Sequence, residues 1–448
     1  MGDTAVKRVV MSLLMVGTWL LPSTPAQAIP AFARKYGLPC SACHQAWPML
    51  NNFGQVFRDN GYQLGNDRDA PAYQQPSYFP IMFRIQPQWH RESNDRVAVD
   101  QVPGNAASGL VESQVDKSGF DLSGLDVFSA GTLARNISFA VQPFLGNGGV
   151  FFVQGFVRFD NLLSSRWLNV KVGKFELDTL LSEERLLTLN NTGFYYNYHF
   201  TPVGDNNPFG GIGGNQLGVE LMGHSQNSYT RYSVALLSSN SGQQGLPTNQ
   251  TYDMYADFSQ GFEIPGLGLQ RIAAFAYFGQ SPTYFQTAAG SPIPGTGTGN
   301  RSFYRAGAYG LWYVKKFDFS TFYEHGSDNV FLGNSVPANQ PFRLPPGAAG
   351  PAWNGGFVEA HYTYNPRLIL LGRYELLRMS RQASPVVPKD LGNLDSWTIG
   401  YRFYPIMNTR AGLAWLQEYS RVRVAGTAPL SGGDDTRSSY LMGFDFDF

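Results

Sequence analysis

Two cysteines and a histidine lie within five consecutive residues, Cys40-Ser41-Ala42-Cys43-His44, and the 448-residue chain has no other cysteine. The C-x-x-C-H spacing is the attachment pattern of a c-type haem. Two thiols on one helical turn can form thioethers to the two vinyl groups at one haem edge, and the histidine that follows can bind the iron axially. The sequence therefore predicts one covalent haem c held by Cys40, Cys43 and His44.

Other uses of a paired-cysteine motif remain open from these residues alone. A disulfide-exchange pair needs a thioredoxin-like βαβ context, which the surrounding pattern lacks. A zinc site needs two further ligands at suitable spacing, and the chain has no second Cys/His pair. Five residues do not by themselves distinguish the motif from chance. The haem hypothesis gains weight from the export signal that precedes the motif.

Residues 1–28 have the three parts of a secretory signal. Lys7 and Arg8 precede an apolar run over residues 9–21, and Ala26-Gln27-Ala28 is a small-residue cleavage site. We therefore expect the protein to be exported. Beyond the signal, no apolar run reaches the ~20 residues that a membrane-spanning helix needs.

Residues 29–77 form the predicted c-type cytochrome segment, which has the pattern of helix and loop. An amphipathic helix is predicted from apolar residues at helical spacing, with Asn60-Gly61 as its stop. These residues are Leu50, Phe53, Val56 and Phe57. A segment of about 50 residues is too small to bury a haem fully, which is a reason for a covalent link.

From residue 78 to residue 448 the side-chain period changes to 2. On the last segment five apolar residues face one way and smaller or acidic residues face the other way. The apolar set is Tyr440, Met442, Phe444, Phe446 and Phe448, and the opposite set is Gly443, Asp445 and Asp447. One apolar and one polar side per strand is what a membrane barrel with a wet lumen requires.

Sixteen segments show this alternation, from 79–90 to 438–448, and an even number is expected of a single-chain bacterial barrel. Short connections such as Lys315-Lys316 alternate with long loops such as 91–120 and 178–213, which indicates short periplasmic turns and long extracellular loops. We therefore predict an all-β fold, a 16-stranded antiparallel transmembrane β-barrel of the bacterial outer membrane, preceded by the small helical haem segment.

Two connections break the alternation of loop lengths. Gly146 to Gly149 is short on the long-loop side, and Gln260 to Leu267 is longer on the short-turn side. A soluble all-β protein is the alternative fold. It explains neither the remaining loop alternation nor the outward aromatic residues of the last segment.

The second axial ligand of the haem iron is less determined by the sequence. Met82 has lumen parity on the first strand and is nearest in sequence to the haem segment, so it is the first choice. Met49 is only five residues beyond His44 and therefore a poor opposing ligand. The other candidates are Met222, His224 and His361 with lumen parity, His325 with lipid parity, and His199 in a loop. Each histidine is more ordinarily a lumen or loop side chain with no metal role.

The stretch from Phe32 to His44 and the residues after it resemble the N-terminal segment of the fused outer-membrane monohaem cytochrome-porins. That family is best known for the iron oxidases of iron-oxidising bacteria. The matching residues after the motif are Pro48, Leu50, Phe53-Gly54, Phe57 and Gly61-Tyr62. The length, the single haem motif and the sixteen-strand tail extend the resemblance over the whole chain at low resolution.

The resemblance implies that the haem segment plugs the barrel lumen. It also implies that single electrons enter from an extracellular donor, with Fe(II) favoured, and leave to a periplasmic cytochrome or similar acceptor. An Fe(II) oxidase is the enzyme class implied. The loops contain no dense carboxylate cluster; Glu183-Glu184 and Asp434-Asp435 are isolated pairs.

A second hypothesis is a diffusion porin whose haem segment is a periplasmic sensor or tether, because an open sixteen-stranded barrel leaves a water channel. Loop 178–213 lies where porins fold a constricting loop inward. The chain has 33 basic and 33 acidic residues, so a nucleic-acid partner is not expected. Besides the electron donor and acceptor, the expected partner is outer-membrane lipid.

Overall fold

The fold is described from a computed structural model. The structure describes residues 30–46, 49–64, 81–146, 149–180, 215–238, 252–282, 300–328, 349–382, 385, 387–407 and 411–448. The predicted export signal, the predicted domain boundary at 77/78 and most of loop 178–213 lie outside the described residues. Within these ranges no helix has the length and apolar character of a membrane span.

The described N-terminal residues form three short helices and one pair of short strands. They are α1 (Pro30–Tyr36), α2 (Cys40–Cys43), β1 (His44–Ala46), β2 (Met49–Leu50) and α3 (Asn52–Asp59). The predicted amphipathic helix is confirmed as α3 for Phe53, Val56 and Phe57, but Leu50 lies before its cap in β2 and does not belong to it. The side chain of Asn51 caps it by accepting the backbone N–H of Gly54 at 2.9 Å. The helix ends before Gly61, whose φ of +80° suits a glycine.

The described part of the chain also contains sixteen longer strands that close into one antiparallel barrel. They are β3 (Ile81–Val102), β4 (Asn105–Ala134), β5 (Ile137–Gly146), β6 (Gly149–Phe159), β7 (Asn169–Glu176), β8 (Asn215–His224), β9 (Thr230–Ser238), β10 (Tyr252–Ile264), β11 (Gly268–Pro282), β12 (Asn300–Val314), β13 (Phe317–Ser327), β14 (Ala352–Asn365), β15 (Leu368–Arg381), β16 (Leu394–Met407), β17 (Gly412–Val424) and β18 (Asp435–Asp447). Each strand pairs with its sequence neighbour, and β18 pairs with β3 to close the ring.

The alternation of side chains follows the predicted parity. On β18, Asp445 and Asp447 are buried inside the barrel, whereas Phe444 and Phe448 are each 40% exposed on its outer surface. On β3, Met82 and the polar residues that alternate with the outward ones are buried in the same way. A closed barrel with apolar side chains outside has no unpaired edge in the lipid, so the predicted transmembrane β-barrel is confirmed.

Residues 91–120, predicted as a loop, are instead the extended part of a β-hairpin. β3 and β4 stay paired beyond the barrel as far as Val102 and Asn105. Polar residues occupy both faces of this hairpin, as in the Arg91–Asp116 ion pair at 3.0 Å. The hydropathy of these residues therefore shows no alternation with a period of 2. The prediction of a loop was therefore wrong.

One of the two irregular connections disappears in the structure. β10 continues to Ile264 and β11 begins at Gly268, which leaves a short turn in place of the predicted longer connection at Gln260 to Leu267. The other exception remains, since β5 ends at Gly146 and β6 begins at Gly149. The short turns, such as Lys315-Lys316 between β12 and β13, mark the periplasmic end of the barrel.

The middle of the lumen is aromatic rather than uniformly polar. Phe275 stacks on Phe322 with ring centroids 5.5 Å apart, and Phe322 stacks on Phe357 at 5.3 Å. All three rings face inward and are at most 4% exposed. The predicted pattern of one apolar and one polar side per strand therefore fails at this level. The reason is that β11 has apolar residues on both sides, so hydropathy alternation does not identify its lumen face.

Candidate functional site

The structure places the three motif residues in one compact turn. Cys40 and Cys43 begin and end α2, a single helical turn in which the Ala42 N–H donates to Pro39 O at 2.9 Å. His44 follows at the start of β1 and is only 5% exposed. The arrangement of two cysteines on one turn with a buried histidine directly after them fits the donor set of a c-type haem.

Asn51 and Gly54 hold this turn against α3. The Asn51 backbone N–H donates to Cys43 O at 2.9 Å, and the Asn51 side chain donates to Ala42 O at 3.0 Å. A Cβ at Gly54 would lie 2.2 Å from Cys43 O, so α3 approaches the motif more closely than any other residue type allows. Sequence reasoning did not identify these supporting residues, although Gly54 is part of the family resemblance.

The environment of the motif acts on the Cys43 thiol. Burial raises the pKa of the Cys43 thiol to about 11, so this thiol is protonated at neutral pH. Among the described residues, no group of three or more His, Cys, Asp and Glu side chains is arranged to hold a metal ion.

A buried ion pair joins the N-terminal segment to the barrel wall. Arg231 of β9 donates from Nε to Asp59 Oδ2 at 2.9 Å and from Nη2 to Asp59 Oδ1 at 3.1 Å, and it also contacts Asp178 Oδ2 at 2.7 Å. Burial alone would raise the pKa of Asp59, but the Arg231 guanidinium, with help from His224, outweighs burial and lowers that pKa to about 2. Asp59 is therefore held as a carboxylate.

A second lumen arginine binds the end of α3. Arg158 of β6 donates from Nη2 to Arg58 O at 3.0 Å and to Asp59 O at 3.1 Å. These carbonyls belong to the last turn of α3, and Arg58 O also accepts the Gly61 N–H at 3.1 Å. Gly61 lies close to the same site, because a Cβ there would be 2.9 Å from Asp160 Oδ2.

A third polar contact lies beside the haem motif. Gln45 donates from Nε2 to Asp318 Oδ2 of β13 at 2.8 Å. On the other side of Asp318, Oδ1 lies 2.5 Å from His361 Nδ1, and His361 Nε2 lies 2.7 Å from Glu359 Oε1. Both ring nitrogens of His361 are thus engaged by carboxylates, which disfavours this histidine as an iron ligand.

Apolar contacts complete the attachment of the N-terminal segment to the wall. One cluster joins it to β15, β16 and β17, and another joins it to β4 and β5. The first consists of Ala46, Met49, Ile369, Tyr404 and Ala414, and the second of Phe57, Tyr62, Ala130 and Ala140. The contacts therefore come from many sides of the barrel, all close to its short turns.

Met82 lies at this same end of the barrel. It is 5% exposed, faces the lumen and pairs across strands with Phe128, which packs against the cluster of Phe57 and Tyr62. Its predicted lumen position is confirmed, and its role as iron ligand stays a prediction. Met407, which sequence reasoning missed, packs against both Ala33 and the Ala46 cluster.

The remaining candidate ligands have other surroundings. His224 Nδ1 lies 3.0 Å from Ser225 O. Met222 is buried and its backbone carbonyl accepts the Asn169 side chain at 3.1 Å. His325 contacts Tyr304 on the outer face, as its predicted lipid parity requires. His199 lies outside the described residues.

Searches against protein-family models and against curated proteins find no match. Several solved porin structures align with the barrel. An anion-selective porin from Comamonas acidovorans has 11% identity and a TM-score of 0.49, covering 82% of this chain and 99% of the porin. OmpF of Salmonella typhi has 8% identity and a TM-score of 0.45, covering 82% and 97%, respectively. OmpT of Vibrio cholerae has 11% identity and a TM-score of 0.44, covering 84% and 100%.

The assignment of the fold rests on the strand pairing of the chain itself. The sixteen described strands close without a free edge, and their outer surface is apolar and aromatic. These are the properties of bacterial outer-membrane barrels. The protein is a porin-like transmembrane β-barrel of the bacterial outer membrane.

Proposed function

We propose that this protein transfers single electrons across the outer membrane and belongs with the monohaem cytochrome-porins that its N-terminus resembles. Cys40 and Cys43 would bind one haem c covalently, and His44 would be its axial ligand. When bound, the haem supplies a one-electron carrier that alternates between ferric and ferrous iron. The extracellular donor would be Fe(II) as substrate, and the acceptor a periplasmic redox protein.

The observation that carries this proposal is the buried pair between Asp59 and Arg231. A segment hanging freely in the periplasm would have no reason to place a carboxylate in the lumen, where an unpaired charge is costly. The pair, the Gln45–Asp318 bond and the apolar clusters support a plug that closes the periplasmic end of the barrel. A plug would bring the haem into the lumen, closer to the outer surface.

The residues around the motif have distinct tasks in this proposal. Asn51 and Gly54 would hold the cysteine turn in register, and Gln45 would fix it to the wall through Asp318. Met82 is the proposed second axial ligand. A thioether ligand raises the potential of a haem relative to a second imidazole, which suits a donor as weakly reducing as Fe(II) at acid pH.

The alternative function is a diffusion porin with a haem tether, and the barrel considered alone fits it better. A closed sixteen-stranded barrel is a channel architecture, and nothing in its strands requires a haem. Two features weigh against an open channel: the N-terminal contacts at the short-turn end and the buried stack of Phe275, Phe322 and Phe357 in the middle of the lumen.

Two measurements on the purified full-length protein separate the functions. For electron transfer, we expect a haem absorbance that survives denaturation, changes from the ferric to the ferrous spectrum on addition of Fe(II), and is absent from the Cys40→Ala, Cys43→Ala double variant. We also expect little solute conductance in a planar bilayer. Open-pore conductance together with no covalent haem would establish the porin function instead.

A further inference from the structure

The periplasmic rim of the barrel is rich in basic side chains. They lie in the short turns and on α1, at the end where the haem motif is found. They are Lys35, Arg135, Arg166, Lys315, Lys316 and Arg367. Arg135, Lys315 and Lys316 are exposed to solvent. We call this set the basic rim.

Little acidic charge opposes the basic rim in the described turns. Asp160 is 2% exposed and paired with Arg158, and Glu263 at the end of β10 is bonded to the Tyr229 hydroxyl. Arg135 and Lys315 form no ion pair with any described residue. The chain as a whole has a formal charge of zero, so the positive charge at this end reflects an uneven distribution and not a general excess.

The basic rim surrounds the haem segment. Asn52 of α3 donates to the backbone oxygen of Asn227, in the turn between β8 and β9, at 3.4 Å. Gln45, next to His44, bonds to Asp318, which lies two residues beyond Lys316. A protein that lands on these turns would therefore approach the segment that carries the haem motif.

We infer that the basic rim is the docking surface of the periplasmic electron acceptor, and that the acceptor presents an acidic face to it. This inference rests on the proposed function. Clustered charge of one sign accelerates the association of an oppositely charged partner, and salt screens the effect. With haem held by Cys40, Cys43 and His44, each encounter would pass one electron from the reduced protein to the acceptor, and no bond would form or break.

Small redox probes of opposite charge test the inference without knowledge of the natural acceptor. Detergent-solubilised full-length protein is reduced, and its re-oxidation is followed by stopped flow with anionic ferricyanide or with a cationic cobalt(III) phenanthroline complex. We expect the double variant Arg135→Glu, Lys316→Glu to slow the reaction with ferricyanide several-fold at low ionic strength and to accelerate the reaction with the cation. At about 1 M salt, where the screening length is ~3 Å, wild type and variant should agree.

Lys389→Glu is the matched control, because Lys389 is an exposed lysine at the opposite end of the barrel. It should leave both rates unchanged. Rates that do not respond to the rim substitutions, or that respond equally to the control, would overturn the inference. A third outcome would also overturn it: both rates unchanged in the variant, but weaker binding of the variant to vesicles that contain anionic phosphatidylglycerol. The basic rim would then bind lipid and not the electron acceptor. Absence of a reducible haem would instead refute the proposed function itself.

Discussion

Arg231 of the barrel wall holds both carboxylate oxygens of Asp59 in the N-terminal segment, and both side chains are buried. The two residues are 172 positions apart in the sequence. Breaking a buried pair by removing one partner leaves an uncompensated charge in a dry environment, which is more costly than removing both. The attachment of the segment should therefore depend strongly on this pair.

Arg231→Gln should loosen the N-terminal segment, because Asp59 and Asp178 would both lose their cation. We expect the local free energy of unfolding to fall by about 3–5 kcal/mol, measured as increased hydrogen exchange of α3. Arg421→Gln is the control, since Arg421 is exposed and forms no ion pair with a described residue. Equal exchange of α3 in the two variants would contradict the role given to the pair.

Acid should release the segment only at very low pH. The pKa of Asp59 is about 2 in the folded protein and 3.8 in its ordinary state, so its stabilising contribution is present above about pH 4 and is lost as the pH falls through 2. Wild-type protein should therefore keep α3 protected from exchange at pH 3. Asp59→Asn should show no such transition, and a wild-type transition centred near pH 4 would contradict the lowered pKa.

Gly54→Ala should disturb the haem motif directly. The new Cβ would lie 2.2 Å from Cys43 O, so α3 and the cysteine turn must separate, at a cost of about 1–3 kcal/mol. We expect less covalent haem per protein in the variant, measured from the absorbance of denatured samples. Gly119→Ala is a fair comparison because a Cβ there meets nothing within 4 Å. Full haem content in Gly54→Ala would show that the close contact is unimportant.

Met82→Ala should change the ferric spectrum if Met82 is the second axial ligand. The expected result is loss of the sulfur-to-iron band near the red end of the visible range, with the covalent haem retained. Met222→Ala provides the comparison, because Met222 is also buried on the lumen side. An unchanged spectrum in Met82→Ala would eliminate this ligand and direct attention to Met407.

Local patterns were sufficient to predict most of the barrel from the sequence. The last strand shows why: Phe444 and Phe446 alternate with Asp445 and Asp447, and a period of 2 between lipid and lumen is visible within a few residues. The C-x-x-C-H motif and the stop of α3 at Asn60-Gly61 are equally local. Such features depend on neighbours in the sequence and need no knowledge of the folded chain.

Features that depend on distant partners were decided by the tertiary structure. Hydropathy did not identify the β3–β4 hairpin, because its pairs are polar on both faces, nor the aromatic lumen around Phe322, because β11 is apolar on both sides. The Asp59–Arg231 pair joins residues that no periodicity relates, and the close contact at Gly54 exists only once α3 packs on the cysteine turn. The sequence by itself determined the strands and the motif, since both arise from local spacing. Only the closed barrel decided which lumen side chains meet the segment, because its closure brings residues far apart in the chain within bonding distance.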